Sequence, residues 1–158
     1  MDNEEVKNKI QSLLDTIIQH TGISVNVDIS DSVRNDRQHF SVDMESEESS
    51  LLIGYHGENL NSLQHYISSA LHRQFDGDFT VLVDISGYRA EREKKLQHIA
   101  ENASEKAVAM GRPVGLYPMN SYERKVIHEK VSDIDGVTSA SEEEGRDRRV
   151  VISPVEDS

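Results

Sequence analysis

Residues 51–63 read Leu51-Leu52-Ile53-Gly54-Tyr55-His56-Gly57-Glu58-Asn59-Leu60-Asn61-Ser62-Leu63, with two glycines three apart between two apolar stretches. Glycine reaches backbone conformations closed to other residues, so this spacing turns the chain tightly and leaves no Cβ between it and a ligand. Upstream, Glu47 to Ile53 has acidic residues in its first turn and an apolar end, which predicts a short helix. Downstream, Leu60, Leu63, Ile67, Ala70 and Leu71 recur at helical spacing from Glu58 onward. A loop just ahead of such a helix offers backbone N–H groups and the positive end of the helix dipole to a phosphate. Taken alone, the four residues also fit an ordinary helix-to-helix turn.

The flanks sharpen the choice. Val6, Ile10, Leu13, Leu14, Ile17 and Ile18 share one face of a helix over 3–21, and Gly22 ends it. Ile23, Val25, Val27 and Ile29 then alternate with polar residues, and so do Phe40, Val42 and Met44; the polar stretch Asp31 to Asp36 between them reads as the turn of a hairpin. After the second long helix, Asp76-Gly77-Asp78 leads into a third alternating strand, Phe79, Val81, Val83 and Ile85. Residues 1–85 thus read α-β-β-α-α-β, and a domain boundary falls near Ser86-Gly87.

Beyond it, a charged helix over about 87–110 carries Leu96, Ile99, Ala103, Ala107 and Met110, and Gly111 and Pro113 close it. Val114 to Tyr117 is extended. Asn120, with Glu123 three residues on, resembles a capping box opening a helix over 121–131. Asp135-Gly136 turns the chain into Val137-Thr138-Ser139, and after the acidic loop Glu142 to Gly145 a last strand runs from Arg148 to Ile152.

The 158 residues carry 17 Lys+Arg against 29 Asp+Glu, a net charge of -12, which argues against a protein that coats DNA through a broad basic surface. The excess is uneven. Residues 1–85 hold 5 basic and 15 acidic side chains, whereas 87–130 hold 9 basic and 6 acidic. With 35% hydrophobic and 5% aromatic residues, the cores must be lean and mainly aliphatic. No cysteine is present, which excludes disulfides, thiolate metal sites and a cysteine nucleophile. The acidic start is unlike a signal peptide and no apolar run is long enough for a bilayer, so a soluble intracellular chain is the expectation. The histidines fall outside any two-histidine metal motif, and no nucleophile elbow, P-loop or dinucleotide fingerprint occurs; neither a metal, a cofactor nor an enzyme is expected.

Arg124 and His128 stand four apart and share a helix face, where the guanidinium can fork onto a phosphate and the imidazole can bond or stack on a base. A solvated face, with Arg124 paired to Glu123 or Glu129, is the bland alternative. Strand, helix, Gly54-x-x-Gly57, helix, strand resembles a KH domain, whose loop clamps about four nucleotides of single strand. Gly111-Arg112-Pro113-Val114-Gly115-Leu116-Tyr117-Pro118-Met119-Asn120-Ser121-Tyr122-Glu123-Arg124-Lys125-Val126-Ile127-His128 resembles the R-three-H domain, named for an Arg and a His separated by three residues. The two in this order, with the closing segment Gly145-Arg146-Asp147-Arg148-Arg149-Val150-Val151-Ile152, resemble the bacterial Jag family, also called KhpB or SpoIIIJ-associated.

That resemblance implies an α+β protein: a type II KH-like domain over 1–85 with a three-stranded sheet and helices on one face, an R-three-H domain over 87–153 with a small mixed sheet and two helices, and a disordered tail over 154–158. It implies a cytoplasmic binder of single-stranded nucleic acid, chiefly RNA, with single-stranded DNA as the alternative. Post-transcriptional control linked to cell elongation or envelope growth would be its setting, with a small KH-domain partner or a homodimer and no membrane. Gly54 and Gly57 would shape the clamp with Tyr55 and His56 at its tip, and Arg124, Lys125 and His128 would contact the strand in the second domain. Three departures are visible: Tyr55-His56 replaces the usual basic residue between the glycines, the KH half is acidic, and the further N-terminal domain and basic linker of many members are missing from this sequence. The acidic half supports a second reading, a protein-interaction scaffold with weak RNA affinity.

Overall fold

The computed structural model describes residues 1–156 and has two compact units, one over Met1–Arg89 and the other from Ala90 onward. In the first, helix α1 (Asn3–Thr21) opens on Asp2, whose carboxylate accepts the Glu4 N–H at 3.0 Å, and ends at Gly22, whose φ of +70° lets its N–H reach the Ile18 carbonyl. Strands β1 (Asn26–Arg34) and β2 (Arg37–Glu45) pair antiparallel, and β3 (Phe79–Ile85) joins β2 in parallel, giving the order β1-β2-β3. Between β2 and β3 lie α2 (Ser49–Ile53), a 3₁₀ turn over Tyr55–Gly57 and α3 (Glu58–Gln74).

Register explains which side is buried. Phe40, Val42 and Met44 stand beside Val81, Val83 and Ile85, and all six are buried against Val6, Ile10 and Leu14 of α1 and Leu60, Ile67 and Leu71 of α3. Each such side chain contributes about 1.5–3 kcal/mol relative to exposure. The helices therefore cover one face. On the other, Asp28, Asp43 and Asp84 stand in one cross-strand row.

Strand β1 differs from the expected turn over Asp31 to Asp36. It runs on through Arg34, and the turn is only Asn35-Asp36, both left-handed at φ +52° and +60°. Two such residues make the tight hairpin whose twist matches its strands, and Asn and Asp tolerate that conformation. At its other end β1 starts at Asn26, later than the expected Ile23, and α2 starts at Ser49.

The free edge of β3 is closed by side chains. Gln64 of α3 donates its amide to the Val81 carbonyl at 2.5 Å and accepts the Val83 N–H at 2.6 Å. Arg89 Nε donates to the Val83 carbonyl at 2.8 Å, and Asp84 accepts the Ile85 N–H at 2.9 Å.

Helix α4 (Tyr88–Met110) has Tyr88 and Arg89 in the first unit and continues into the second, which then holds β4 (Val114–Gly115), α5 (Ser121–Ser132), β5 (Val137–Glu142) and β6 (Arg149–Pro154). The sheet order is β4-β6-β5 and both pairings are antiparallel, so this sheet is not mixed as expected: β6 comes last and returns between two strands that both run against it. Leu96, Ala100, Ala103 and Ala107 form the buried line of α4, while Met110 is exposed. With Val126, Ile127 and Val131 of α5 and Val150 and Ile152 of β6 they make a second core. Pro154 closes β6 and the Val155 N–H donates to Gly136, so the expected tail begins inside a strand; residues 157–158 lie outside the described residues.

Candidate nucleic-acid interface

Gly54 and Gly57 are both left-handed, at φ +73° and +81°. A Cβ on Gly54 would stand 2.7 Å from the Asn59 side chain, which folds back to bond the Leu51 carbonyl at 2.9 Å. One on Gly57 would stand 2.8 Å from Cε1 of Tyr88. The loop is thus wedged between α3 and Tyr88, and side chains there are strained in two ways at once. His56 is itself left-handed at φ +50° and its ring stacks on Tyr55, centroids 3.9 Å apart and planes 26° apart. Tyr55 is 72% exposed, so the tip presents an aromatic pair.

In the second unit, Asn120 caps α5 by accepting the Glu123 N–H at 2.9 Å. The Glu123 side chain does not turn back as a capping box would. It is buried and meets Arg92 of α4, with Nε–Oε1 at 2.8 Å, and Arg92 also donates to the Tyr117 hydroxyl at 3.1 Å. Burial works against the Arg92 charge, and Glu123 outweighs it. That pair fixes the first turn of α5 and leaves Arg124 to face outward from Glu123. Arg124 Nη1 donates to the Met119 carbonyl at 2.7 Å and Nη2 to Ser121 Oγ at 3.2 Å. Neither Glu123 nor Glu129 takes it as an ion-pair partner. Lys125 is exposed, with Glu129 at 3.8 Å.

His128, one turn on, is held from both sides of its ring. Nδ1 lies 2.7 Å from Ser139 Oγ and Nε2 2.8 Å from Ser141 Oγ, two hydroxyls on the same side of β5. Burial, and then the positive charges of Arg124 and Arg148, push its pKa below the ordinary value. The imidazole is therefore neutral at pH 7, donating to one serine and accepting from the other.

Of the residues chosen from sequence, Gly54, Tyr55, His56 and Gly57 come together in the first unit, and Arg124, Lys125 and His128 on α5 in the second. Arg148, Ser139, Ser141 and Arg92 were missed. Arg148 was legible in principle, because the expected last strand began with it on the side that carries Val150; β6 itself begins one residue later, at Arg149.

Comparison with known proteins bears on both units. Residues 7–85 match the KH domain of KhpA/KhpB, and residues 94–154 match the R-three-H domain. The chain belongs to the KhpB family. Its relatives include the RNA-binding protein KhpB of Streptococcus pneumoniae strain R6, 31% identical over 153 residues, which is 96% of this chain and 45% of that protein. KhpB of Bacillus subtilis strain 168 is 32% identical over 143 residues, 89% of this chain and 66% of the relative. KhpB of Clostridium symbiosum is 29% identical over 150 residues, 95% of this chain and 67% of the relative. The chain spans about half the length of the streptococcal KhpB. The KhpB frame agrees with the reading as KH followed by R-three-H. Among the described residues no helix is long and apolar enough to cross a membrane, and no three His, Asp or Glu side chains gather as metal ligands.

Proposed function

We propose that this chain binds single-stranded RNA at two sites, the Gly54–Gly57 loop and the Arg124-x-x-x-His128 face, as a cytoplasmic regulator acting after transcription on cell elongation or envelope growth. The observation that carries this reading is Arg124. In a chain with 29 acidic and 17 basic residues, its guanidinium is steadied by Met119 and Ser121 and by no carboxylate, which leaves its charge for a phosphate. The relatives named RNA-binding proteins support it. The loop adds a turn that lets a strand approach and an aromatic tip for a base, in place of a basic residue. Two weak sites on one chain raise each other's effective concentration when one strand spans both.

The test is fluorescence anisotropy with labelled single-stranded RNA and a matching duplex. Binding should favour the single strand and weaken with salt. Gly57→Asp with Arg124→Ala should lower affinity at least tenfold, thermal melts confirming that the double variant remains folded. Unchanged affinity in a folded double variant would sink the proposal.

A second reading, a scaffold for a small KH-domain protein or a second copy, draws support from the acidic face where Asp28, Asp43 and Asp84 share one row, since such a face repels a nucleic-acid backbone. On that reading a partner is retained from lysate after ribonuclease treatment; release of the partner by the nuclease counts against it.

A further inference from the structure

Two arginines of this acidic chain have a carboxylate beside them, Arg37 with Asp78 and Arg92 with Glu123. Arg124 and Arg148 do not. Among the described residues neither makes an ion pair, and the Arg148 side chain makes no hydrogen bond.

The two are nonetheless joined through the backbone of one residue, Met119. The Met119 carbonyl accepts from Arg124 Nη1 at 2.7 Å, while the Met119 N–H donates to the Arg148 carbonyl at 3.2 Å. Both ends of that link are fixed in turn: Met119 is buried, and the Arg148 N–H donates to Gly145 at 3.3 Å. Arg148 directly precedes β6 with an extended backbone (φ -65°, ψ 126°), so alternation continued back from Val150 puts it on the Val150 side, and Val150 stands opposite Ser141. Arg148 therefore projects on the side where His128 holds Ser139 and Ser141. Uncompensated like charges in one neighbourhood raise the energy of the empty protein, and an anion placed between them lowers it.

We propose that Arg148 is the second guanidinium of the phosphate site centred on Arg124, with the Ser139 and Ser141 hydroxyls oriented beside it by His128, and that the site takes an internal phosphodiester of single-stranded RNA. The assignment rests on the RNA-binding reading above and extends it to four residues outside the Arg-x-x-x-His pair: Met119 as the splint, Arg148 as a cation, and two serines as neutral donors. His128 is a positioning residue in this scheme. It bonds hydroxyls with both nitrogens, so it serves the site by holding β5 against α5.

The experiment measures affinity for single-stranded RNA against salt concentration for the full chain and four variants: Arg124→Gln, Arg148→Gln, Arg148→Lys and, as a control on the exposed side of α4, Lys106→Gln. Arg148→Gln should bind about tenfold more weakly and flatten the slope of log K against log salt by about 0.7, the contribution of one single-strand phosphate contact. Arg148→Lys should keep the slope while recovering only part of the affinity, because an ammonium lacks the fork. Melting temperatures should match the parent, since the side chain makes no internal bond. A slope for Arg148→Gln equal to that of the Lys106→Gln control overturns the assignment, as does equal loss in the Gln and Lys variants, which marks a structural role. If Arg124→Gln also binds normally, the RNA-binding reading itself has failed; if Arg124→Gln binds weakly and Arg148→Gln does not, only Arg148 is wrongly placed.

Discussion

His128 illustrates how a residue chosen for one chemistry is committed to another. Its ring joins α5 to β5 through two hydroxyls, and burial with Arg124 and Arg148 nearby disfavours its protonated form. The sign of the consequence follows from linkage. With the folded pKa below that of the unfolded chain, the unfolded state takes up the proton first, so stability is fully present above about pH 6.5 and is lost as pH falls through the folded value. Thermal melts from pH 7.5 to 5 should show the parent losing more than His128→Gln, which cannot take up a proton. Equal losses would mean that other groups govern this window. Any gain in RNA affinity at lower pH would then have to come from elsewhere than this imidazole.

Among the elements, α4 and α5 depend on one buried contact between residues 31 apart in sequence, Arg92 and Glu123. Glu123→Ala would leave a buried guanidinium without its counter-ion and should cost about 3 kcal/mol, read as a shift in the urea midpoint. Joint replacement by Met and Leu should recover most of it, because the desolvation of both charges is then avoided. A single variant as stable as the parent would show that the pair is idle. Sequence could not announce this contact. Asn120 and Glu123 carry the local signature of a cap, and half of it is realised in the Glu123 N–H, but the carboxylate answers to a partner that periodicity cannot see. Legibility elsewhere divides in the same way. Helices α1 and α3 and strands β2 and β3 bury one regular face, so Val6, Ile10, Leu60, Ile67, Val42 and Val83 stood where spacing put them. The outer half of β1 is exposed on both sides, and without a buried face its strand character left no alternation to read. In the second unit the helices, the Asn120 cap and the Arg124–His128 spacing are local and were readable, whereas the long-range order β4-β6-β5 is a property of chain return. Ser139 and Ser141 reach His128 by virtue of that return.

Across the molecule, charge is divided by segment: 1–85 hold 15 acidic and 5 basic side chains, and 87–130 hold 6 and 9. With 3 basic and 8 acidic side chains over 131–158, the chain beyond residue 86 is close to balanced, so a polyanion is repelled more strongly by the first segment than by the rest. The acidic first unit also has two unlike sheet edges. Side chains occupy the outward backbone groups of β3 at Val81, Val83 and Ile85, whereas among the described residues none bonds the backbone of β1. A lattice of strands grows only if every added copy leaves a fresh edge behind it. An edge-to-edge union of this first sheet through β1 would expose two sealed β3 borders, one at each end, and growth by this sheet would stop at a pair. The amide of one glutamine, spent on two backbone groups, thereby denies the folded first unit a second edge for strand addition.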